Sequence, residues 1–445
     1  MDFSEFNNEF FNLKKSGKCE EAVNFFYEHE REFDSETLKE NPYLISSVVI
    51  CLRRINRVDE GFNLLKKLGV RINSDTNENF LTTYGWLLHS KFKTSGSARD
   101  KEKIISQMVK VIFLLKPYDT KYSRLLKTNL FLIVVKDEKS KNNPNWKFIN
   151  DFCDKFDPND LDENPYIKRE SKGGKSEERA SAKEEWYSYK SKALSKLERW
   201  QECKKVSHEA LKLPSFHNDN KIWFKYRIAL SNKNLGNLNE AVALFEKLLK
   251  TSVIKRNSWF AKKELSDAYL KMNDLDNAFK YAVQALNTPA KLNFKIDLIY
   301  LFAKILVAKG EKELALKHLL LYKLVRKENK WKVPIELERE IEKLSDGNIE
   351  EDRKKLESEL KGYWRKFDTS KKEEKQKTLE GKIAKLLHDN ERGKDGFIET
   401  NGKSYYFAVF PNSKMINKIK IRAKVKFKAS KNNAGKLRAK IISVE

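Results

Sequence analysis

Apolar residues recur with a helical period through the first three quarters of the chain, and near Leu379 the period shortens to two. Four stretches of the first part share one pattern: "ERWQECKKVSHEALKLP", "LGNLNEAVALFEKLLK", "MNDLDNAFKYAVQALNTP" and "AKGEKELALKHLLL". Superimposed, they place Cys203, Ala241, Ala278 and Ala315 at one equivalent position, at spacings of 38, 37 and 37 residues. A small residue there lets a helix press against its hairpin partner, while Phe245, Ala282 and Leu319, four places on, turn toward the next layer. The helix before each stretch carries a second close-packing position, at Ser191, Ala229, Ser266 and Ala303. Short polar links such as "GNLNE" and "NDLDN" make the turns. Helix pairs at this period predict a stacked array in which each repeat buries its apolar face against its neighbours.

These residues resemble the tetratricopeptide repeat (TPR). "GNLNEAVALFEKLL" is similar to the second-helix signature, and "ELSDAYLKMNDLDNAFKYAVQALNTP" keeps Leu265, Ser266, Tyr269, Ala278, Ala285 and Pro289. Two looser copies open the chain, "KSGKCEEAVNFFYEH" with Ala22 and "RINRVDEGFNLLKKL" with Gly61 in the small position. The resemblance implies a curved helical scaffold over residues 1–345, best formed at 185–325 and degenerate at about 79–184, whose concave face holds a peptide or protein partner. Within the degenerate part, "FDPNDLDENPYIKRESKGGKSEERASAKEEW" is charged and turn-rich, and predicts a mobile surface loop. Its "GGKS" is not a phosphate loop, because that motif needs a glycine where Arg169 stands and a preceding strand, which the pattern does not predict.

Residues 346–378 read as a charged helix, with Glu and Lys three or four places apart, followed by a flexible tether in "DTSKKEEKQKT". Tyr363 and Trp364 lie among cations at the end of that helix, where they either stack on bases or pack against a neighbouring domain.

Residues 379–445 offer five short strands: "GKIAKLL", "GFIET", "KSYYFAVF", "KIKIRAKVKFK" and "KLRAKIISV". Number and size suit a small all-β barrel of the oligonucleotide-binding (OB) type. Asn401-Gly402 is a strong two-residue hairpin signal, and it sets Thr400 opposite Lys403, Glu399 opposite Ser404, Ile398 opposite Tyr405 and Phe397 opposite Tyr406. Directly opposed residues share a face. Ile398, Tyr405 and Phe407 thus face the core, and Asp395, Phe397, Glu399, Ser404, Tyr406 and Ala408 face outward. An outward aromatic pair either stacks on bases or covers itself. In the next strand Ile419, Ile421, Ala423, Val425 and Phe427 alternate with Lys418, Lys420, Arg422, Lys424, Lys426 and Lys428. That row would set positive charges roughly 6.7 Å apart, a pitch suited to a phosphate backbone.

The segment resembles the cold-shock domain. "GKDGFI" keeps Gly396, Phe397 and Ile398 of the family's first motif, "YYFA" keeps an aromatic at Tyr406 from its second, and "KVKF" and "AGKLRAKIISV" are similar to the closing strands. The resemblance implies single-stranded RNA or DNA binding by base stacking with little sequence preference. This chain departs from the pattern at Asp395 and Ala408, where the family has an aromatic and a histidine, and in "KIAKLLHD", which lacks the tryptophan of the first strand. A carboxylate at 395 repels phosphate, so the departures imply weaker binding.

Charge strengthens that reading. Lys and Arg number 90 against 64 Asp and Glu, a formal net charge of +26. Residues 401–445 hold twelve Lys and Arg and one acid, Glu445. Such an excess points to a polyanionic partner, or else reflects a lysine-rich composition that keeps the chain in solution. Four scattered cysteines (Cys19, Cys51, Cys153, Cys203) predict buried thiols in a reducing compartment, with neither a disulfide framework nor a zinc site. The polar start and the short apolar runs predict a cytoplasmic protein outside the membrane. Neither a catalytic motif nor a cofactor motif is found, and His208 and His318 read as packing or surface groups. The expectation is a non-enzymatic adaptor: the repeats hold a protein, and Phe397, Tyr406, Lys394, Lys403, Lys424, Lys426, Lys428, Lys431, Lys436 and Arg438 contact RNA or single-stranded DNA. The alternative is a protein-only scaffold, or the sensor subunit of a bacterial antiviral defence system whose enzyme is separate.

Overall fold

The computed structural model describes all residues except 169–176, 252–253, 255–257, 346–351, 369–377, 414 and 432–436. The "GGKS" loop and the expected tether at 369–377 lie outside the described residues. The chain divides into two compact units, Met1–Leu244 and Phe245–Glu445.

The first unit contains helices α1 (Phe3–Lys15), α2 (Cys19–His29), α3 (Ser35–Lys39), α4 (Pro42–Arg54), α5 (Val58–Lys67), α6 (Glu78–Thr94), α7 (Ala98–Leu114), α8 (Lys121–Ser140), α9 (Trp146–Cys153), α10 (Ala182–Lys196), α11 (Trp200–Ala210) and α12 (Lys221–Asn234). Helix α13 spans Leu238–Leu249. The second unit continues with α14 (Trp259–Lys271), α15 (Leu275–Asn287), α16 (Ile296–Ala308), α17 (Lys312–Glu328), α18 (Ile335–Leu344) and α19 (Arg353–Lys366). Together they form tandem, TPR-like helical hairpins. Two short strands, β1 (Tyr166–Lys168) and β2 (Glu177–Arg179), pair antiparallel around the "GGKS" segment. A strand therefore does precede that segment, against expectation. Three residues, Tyr166-Ile167-Lys168, give too short a pattern to read as a strand.

One local device builds the hairpins. Gly17, Asn56, Glu198, Gly236, Asn273 and Gly310 all have a left-handed backbone, with φ between 58° and 85°. Each stands five places before a small residue: Ala22, Gly61, Cys203, Ala241, Ala278 and Ala315. The amide after each left-handed residue donates back to the carbonyl five residues before it, as from Arg57 to Leu52 (2.8 Å) and from Asp274 to Tyr269 (2.9 Å). This closure satisfies a carbonyl that the helix end would otherwise strand, and it turns the chain into the next helix. Cys203, Ala241, Ala278 and Ala315 are fully buried, as are Ser191, Ala229 and Ser266. The two small positions meet: Ser266 Oγ donates to the Ala278 carbonyl (2.7 Å), and Cys203 Sγ lies 3.3 Å from that of Ser191. At Gly61 an added Cβ would come within 2.8 Å of the Leu87 side chain, which would have to shift to admit it.

The charged helix expected after the repeats is α19, and it carries a packing face as well. Leu356, Leu360 and Trp364 form a narrow stripe buried against α15 and α17. The Trp364 indole N–H donates to His318 Nε2 (2.9 Å), and Asn287 Nδ2 donates to the Trp364 carbonyl (2.7 Å). His318 Nδ1 donates to the Leu314 carbonyl (2.7 Å). Burial drives the His318 ring down to about 4, so it is a neutral packing residue. Trp364 is core, and Tyr363 packs half-buried on Phe367 with ring centroids 4.7 Å apart.

The C-terminal strands are β3 (Thr378–Asn390), β4 (Gly393–Thr400), β5 (Lys403–Val409), β6 (Lys424–Lys431) and β7 (Leu437–Val444). They close a barrel in the order β3-β4-β5-β7-β6, with β5 and β7 parallel. Ile383, Ile398, Tyr405, Phe407, Ile419, Val425, Phe427, Ile441 and Val444 fill it. Among the described residues no helix is long and apolar enough to cross a membrane. All four cysteines are free and buried.

Candidate functional site

The β4–β5 hairpin has the register set by its Asn401-Gly402 turn: Thr400 faces Lys403, Ile398 faces Tyr405 and Phe397 faces Tyr406. Ile398, Tyr405 and Phe407 are buried, whereas Phe397 and Tyr406 are half-exposed on the outer surface. Their rings meet nearly edge-on, with centroids 5.8 Å apart and planes at 70°.

Two neighbours extend this pair into a row. Arg438 of β7 is the register partner of Tyr406 and sets its guanidinium 5.7 Å from the ring centroid. Lys385 of β3 is the register partner of Phe397. Lys385, Phe397, Tyr406 and Arg438 thus run across four adjacent strands, over roughly 14 Å at ~4.8 Å per strand. Among the described residues neither Lys385 nor Arg438 has a carboxylate within ion-pair distance. The row depends on a bulge: between Ile383 and Lys385 strand β3 carries one residue more than β4, which turns Lys385 outward. The bulge brings the Lys385 carbonyl over Gly396, where an added Cβ would lie 2.0 Å from that oxygen.

Asp395 has an internal role. It accepts hydrogen bonds from the Tyr406 hydroxyl (2.9 Å) and from the His388 backbone N–H (3.1 Å) and Nδ1 (2.9 Å). Burial pushes its carboxyl up, but these bonds outweigh burial and hold it below the usual range. Burial and then the Asp395 carboxylate raise the Tyr406 phenol. The carboxylate therefore pins the Tyr406 ring in place.

Other expected residues lie elsewhere. Lys394 sits on the opposite parity to Phe397, donates to the Ile419 carbonyl (3.2 Å) and pairs with Asp389 (3.0 Å). Lys403 is exposed beside the hairpin turn, opposite Thr400. The long lysine row is shorter than expected. Residues Ile416–Lys418 form a 3-10 turn, Arg422 has φ 68°, and Ile421 is 55% exposed. The chain bends there because the Arg422 amide must reach the Ile383 carbonyl (2.7 Å) to close the barrel on β3. Lys424, Lys426 and Lys428 do share the outer face of β6, opposite Lys382, Glu380 and Thr378. Lys426 is engaged by Glu380 (3.1 Å) and Glu445 (3.7 Å). The Lys431 backbone pairs with Leu437, while its side chain and all of Lys436 lie outside the described residues. Lys385 and His388 escaped the sequence reading because strict alternation fails at a bulge. Among the described residues no group of His, Cys, Asp and Glu gathers as a metal site.

A family model described as a domain of unknown function (DUF7017) matches residues 222–361. No curated protein matches the chain. Among solved structures, the C-terminal part of a TPR repeat-containing protein from Cytophaga hutchinsonii is similar at 12% identity and a TM-score of 0.35, covering 66% of this chain and 98% of that one. A tetratricopeptide repeat protein from Parabacteroides merdae is similar at 14% identity and a TM-score of 0.29, covering 77% of this chain and 97% of that one.

Proposed function

We propose that the chain is an adaptor whose helical hairpins hold a protein partner and whose barrel binds single-stranded RNA or DNA. The TPR-like hairpins support a protein-interaction role. The observation that carries the nucleic-acid part is the Lys385–Phe397–Tyr406–Arg438 row, two half-exposed aromatics flanked by two cations. Bases stack on aromatic faces without strong sequence preference, and flanking cations follow the phosphates. The barrel order also suits the OB type, in which the second and third strands carry the oligonucleotide. Here those strands bear Phe397 and Tyr406.

The test is fluorescence anisotropy of the full chain with labelled oligo-U and oligo-dT. Phe397→Ala and Tyr406→Ala should each cost about 1–3 kcal/mol of binding. Affinity should fall steeply with salt as counterions are released. Unchanged binding by a folded double variant would overturn the reading. A protein-only scaffold is favoured by one feature, the satisfaction of Tyr406 by Phe397 and Asp395, and it predicts no oligonucleotide shift at physiological salt.

A further inference from the structure

A cleft of about 440 Å³ opens in the first unit between the end of α7, the start of α8 and the segment after α9. Its volume suits a small molecule. Three kinds of chemistry line it. Ile112 and Leu161 form a buried apolar floor, and Phe156 is a wall fixed by its contacts with Phe131 (4.5 Å between centroids) and Phe152 (5.7 Å). Phe113, 44% exposed, is a second aromatic at the edge. Four cations, Lys116, Arg124, Lys127 and Lys155, face two carboxylates, Asp157 and Asp160.

The cations are unequally committed. Lys127 Nζ donates to the Tyr118 carbonyl (2.9 Å), and Arg124 lies 3.5 Å from Asp119. Among the described residues the side chains of Lys116 and Lys155 have no ion pair or hydrogen bond. Asp157 accepts from the Asn159 amide (2.8 Å), and the Asp160 carboxylate has no partner among the described residues.

We propose that this cleft binds a nucleoside 5′-monophosphate. The two uncommitted lysines match a phosphomonoester, which carries a charge of about −1.5 to −2. The aromatic and aliphatic surface matches a flat base. The Asp160 carboxylate, which has no donor of its own among the described residues, and the second oxygen of Asp157 are acceptors of the kind that ribose hydroxyls and exocyclic amines require. This site is independent of the barrel face.

Isothermal titration calorimetry of the full chain tests the assignment, with AMP, GMP, CMP and UMP as ligands and with inorganic phosphate and adenosine as probes of the separate parts. At least one nucleotide should saturate a single site, with phosphate and adenosine weaker by about tenfold or more. The Lys116→Ala/Lys155→Ala double variant should lose about tenfold or more, since two charge-assisted hydrogen bonds go with it. Both lysines are exposed, so an unchanged circular-dichroism melt is the folding control. The Phe397→Ala/Tyr406→Ala variant should bind the nucleotide as the parent does. Absence of saturation by every nucleotide overturns the proposal. So does phosphate binding as tightly as the nucleotide, full affinity in the folded lysine variant, or loss of affinity in the barrel variant.

Discussion

The helical hairpins and the barrel solve close approach in different ways. In the hairpins a small residue is fully buried beneath its partner helix, and a left-handed residue five places earlier fixes the turn. Each repeat restates the device from local sequence, so a change in one copy is felt by its own hairpin and its neighbours. In the barrel, approach depends on bulges in β3, where the strand carries extra residues and its Lys385 carbonyl leaves room only for glycine at 396. The hairpins spend their polar groups inside, as Ser266 and His318 show. The barrel holds cations on its outside with few acids to match. Repetition builds a frame, and irregularity places a surface.

The largest effect should come from removing the residue that ends the helical frame. Trp364→Ala deletes a buried indole and leaves His318 Nε2 without its donor, which should cost about 3–5 kcal/mol. Urea denaturation followed at 222 nm measures it. A cost below about 1 kcal/mol would mean that α19 is an appendage with no share in the frame.

His318 gives the same contact a pH signature. Its ring is held near 4 in the folded chain, against about 6.5 when unfolded. The unfolded chain therefore binds more protons between those values, and stability must fall as pH drops from about 6.5 toward 4. The full loss amounts to about 3 kcal/mol, from ~1.4 kcal/mol per pH unit. Urea midpoints taken from pH 7 to 4.5 should decline in the parent and decline less in His318→Gln, where the buried His89 ring, also held near 4, keeps part of the slope. Equal slopes would remove the histidine from the account.

Much of the helical region could be read from sequence because its signals are short-range. The spacing of Ala241, Ala278 and Ala315 directly encodes the packing of their hairpins. The packing face of α19 was obscured because Leu356, Leu360 and Trp364 are a one-residue-wide stripe in a helix otherwise full of charge. In the barrel, the Asn-Gly turn fixed the β4–β5 register from local chemistry alone. Alternation failed in β3 and before β6, where closure of the barrel imposes bulges and a left-handed Arg422 that the neighbouring residues do not announce. Asp395 looked repulsive in sequence because its donors, Tyr406 and His388, become neighbours only through cross-strand pairing.

A smaller effect tests whether the bulge is what the barrel depends on. Gly396→Ala puts a methyl group against the Lys385 carbonyl, so backbone must move at a cost of roughly 1–3 kcal/mol. Hydrogen exchange read by mass spectrometry should show faster exchange in Thr378–Asn390 and Gly393–Thr400, with the helical peptides unaltered. Faster exchange throughout would mean that the barrel and the frame open together.

The smallest effect is the sharpest, because it sets two lysines of the barrel against each other. By alternation Lys385, two places after the buried Ile383, belongs inside, while Lys394 lies on the opposite parity to Phe397. The bulge in β3 changes the first of these and leaves the second as it was. Lys385 is exposed as the register partner of Phe397, and Lys394 is held by Asp389 and the Ile419 carbonyl. A cation that contacts a phosphate releases about one counterion on binding, so its removal lowers the salt slope by about one. Lys385→Ala should therefore flatten the salt dependence of oligonucleotide binding by about one ion, and Lys394→Ala should leave it unchanged. Anisotropy titrations at four or five salt concentrations separate the two. The reverse result would mean that the nucleic acid lies off the Phe397–Tyr406 face, along an edge of the barrel that its aromatics do not define.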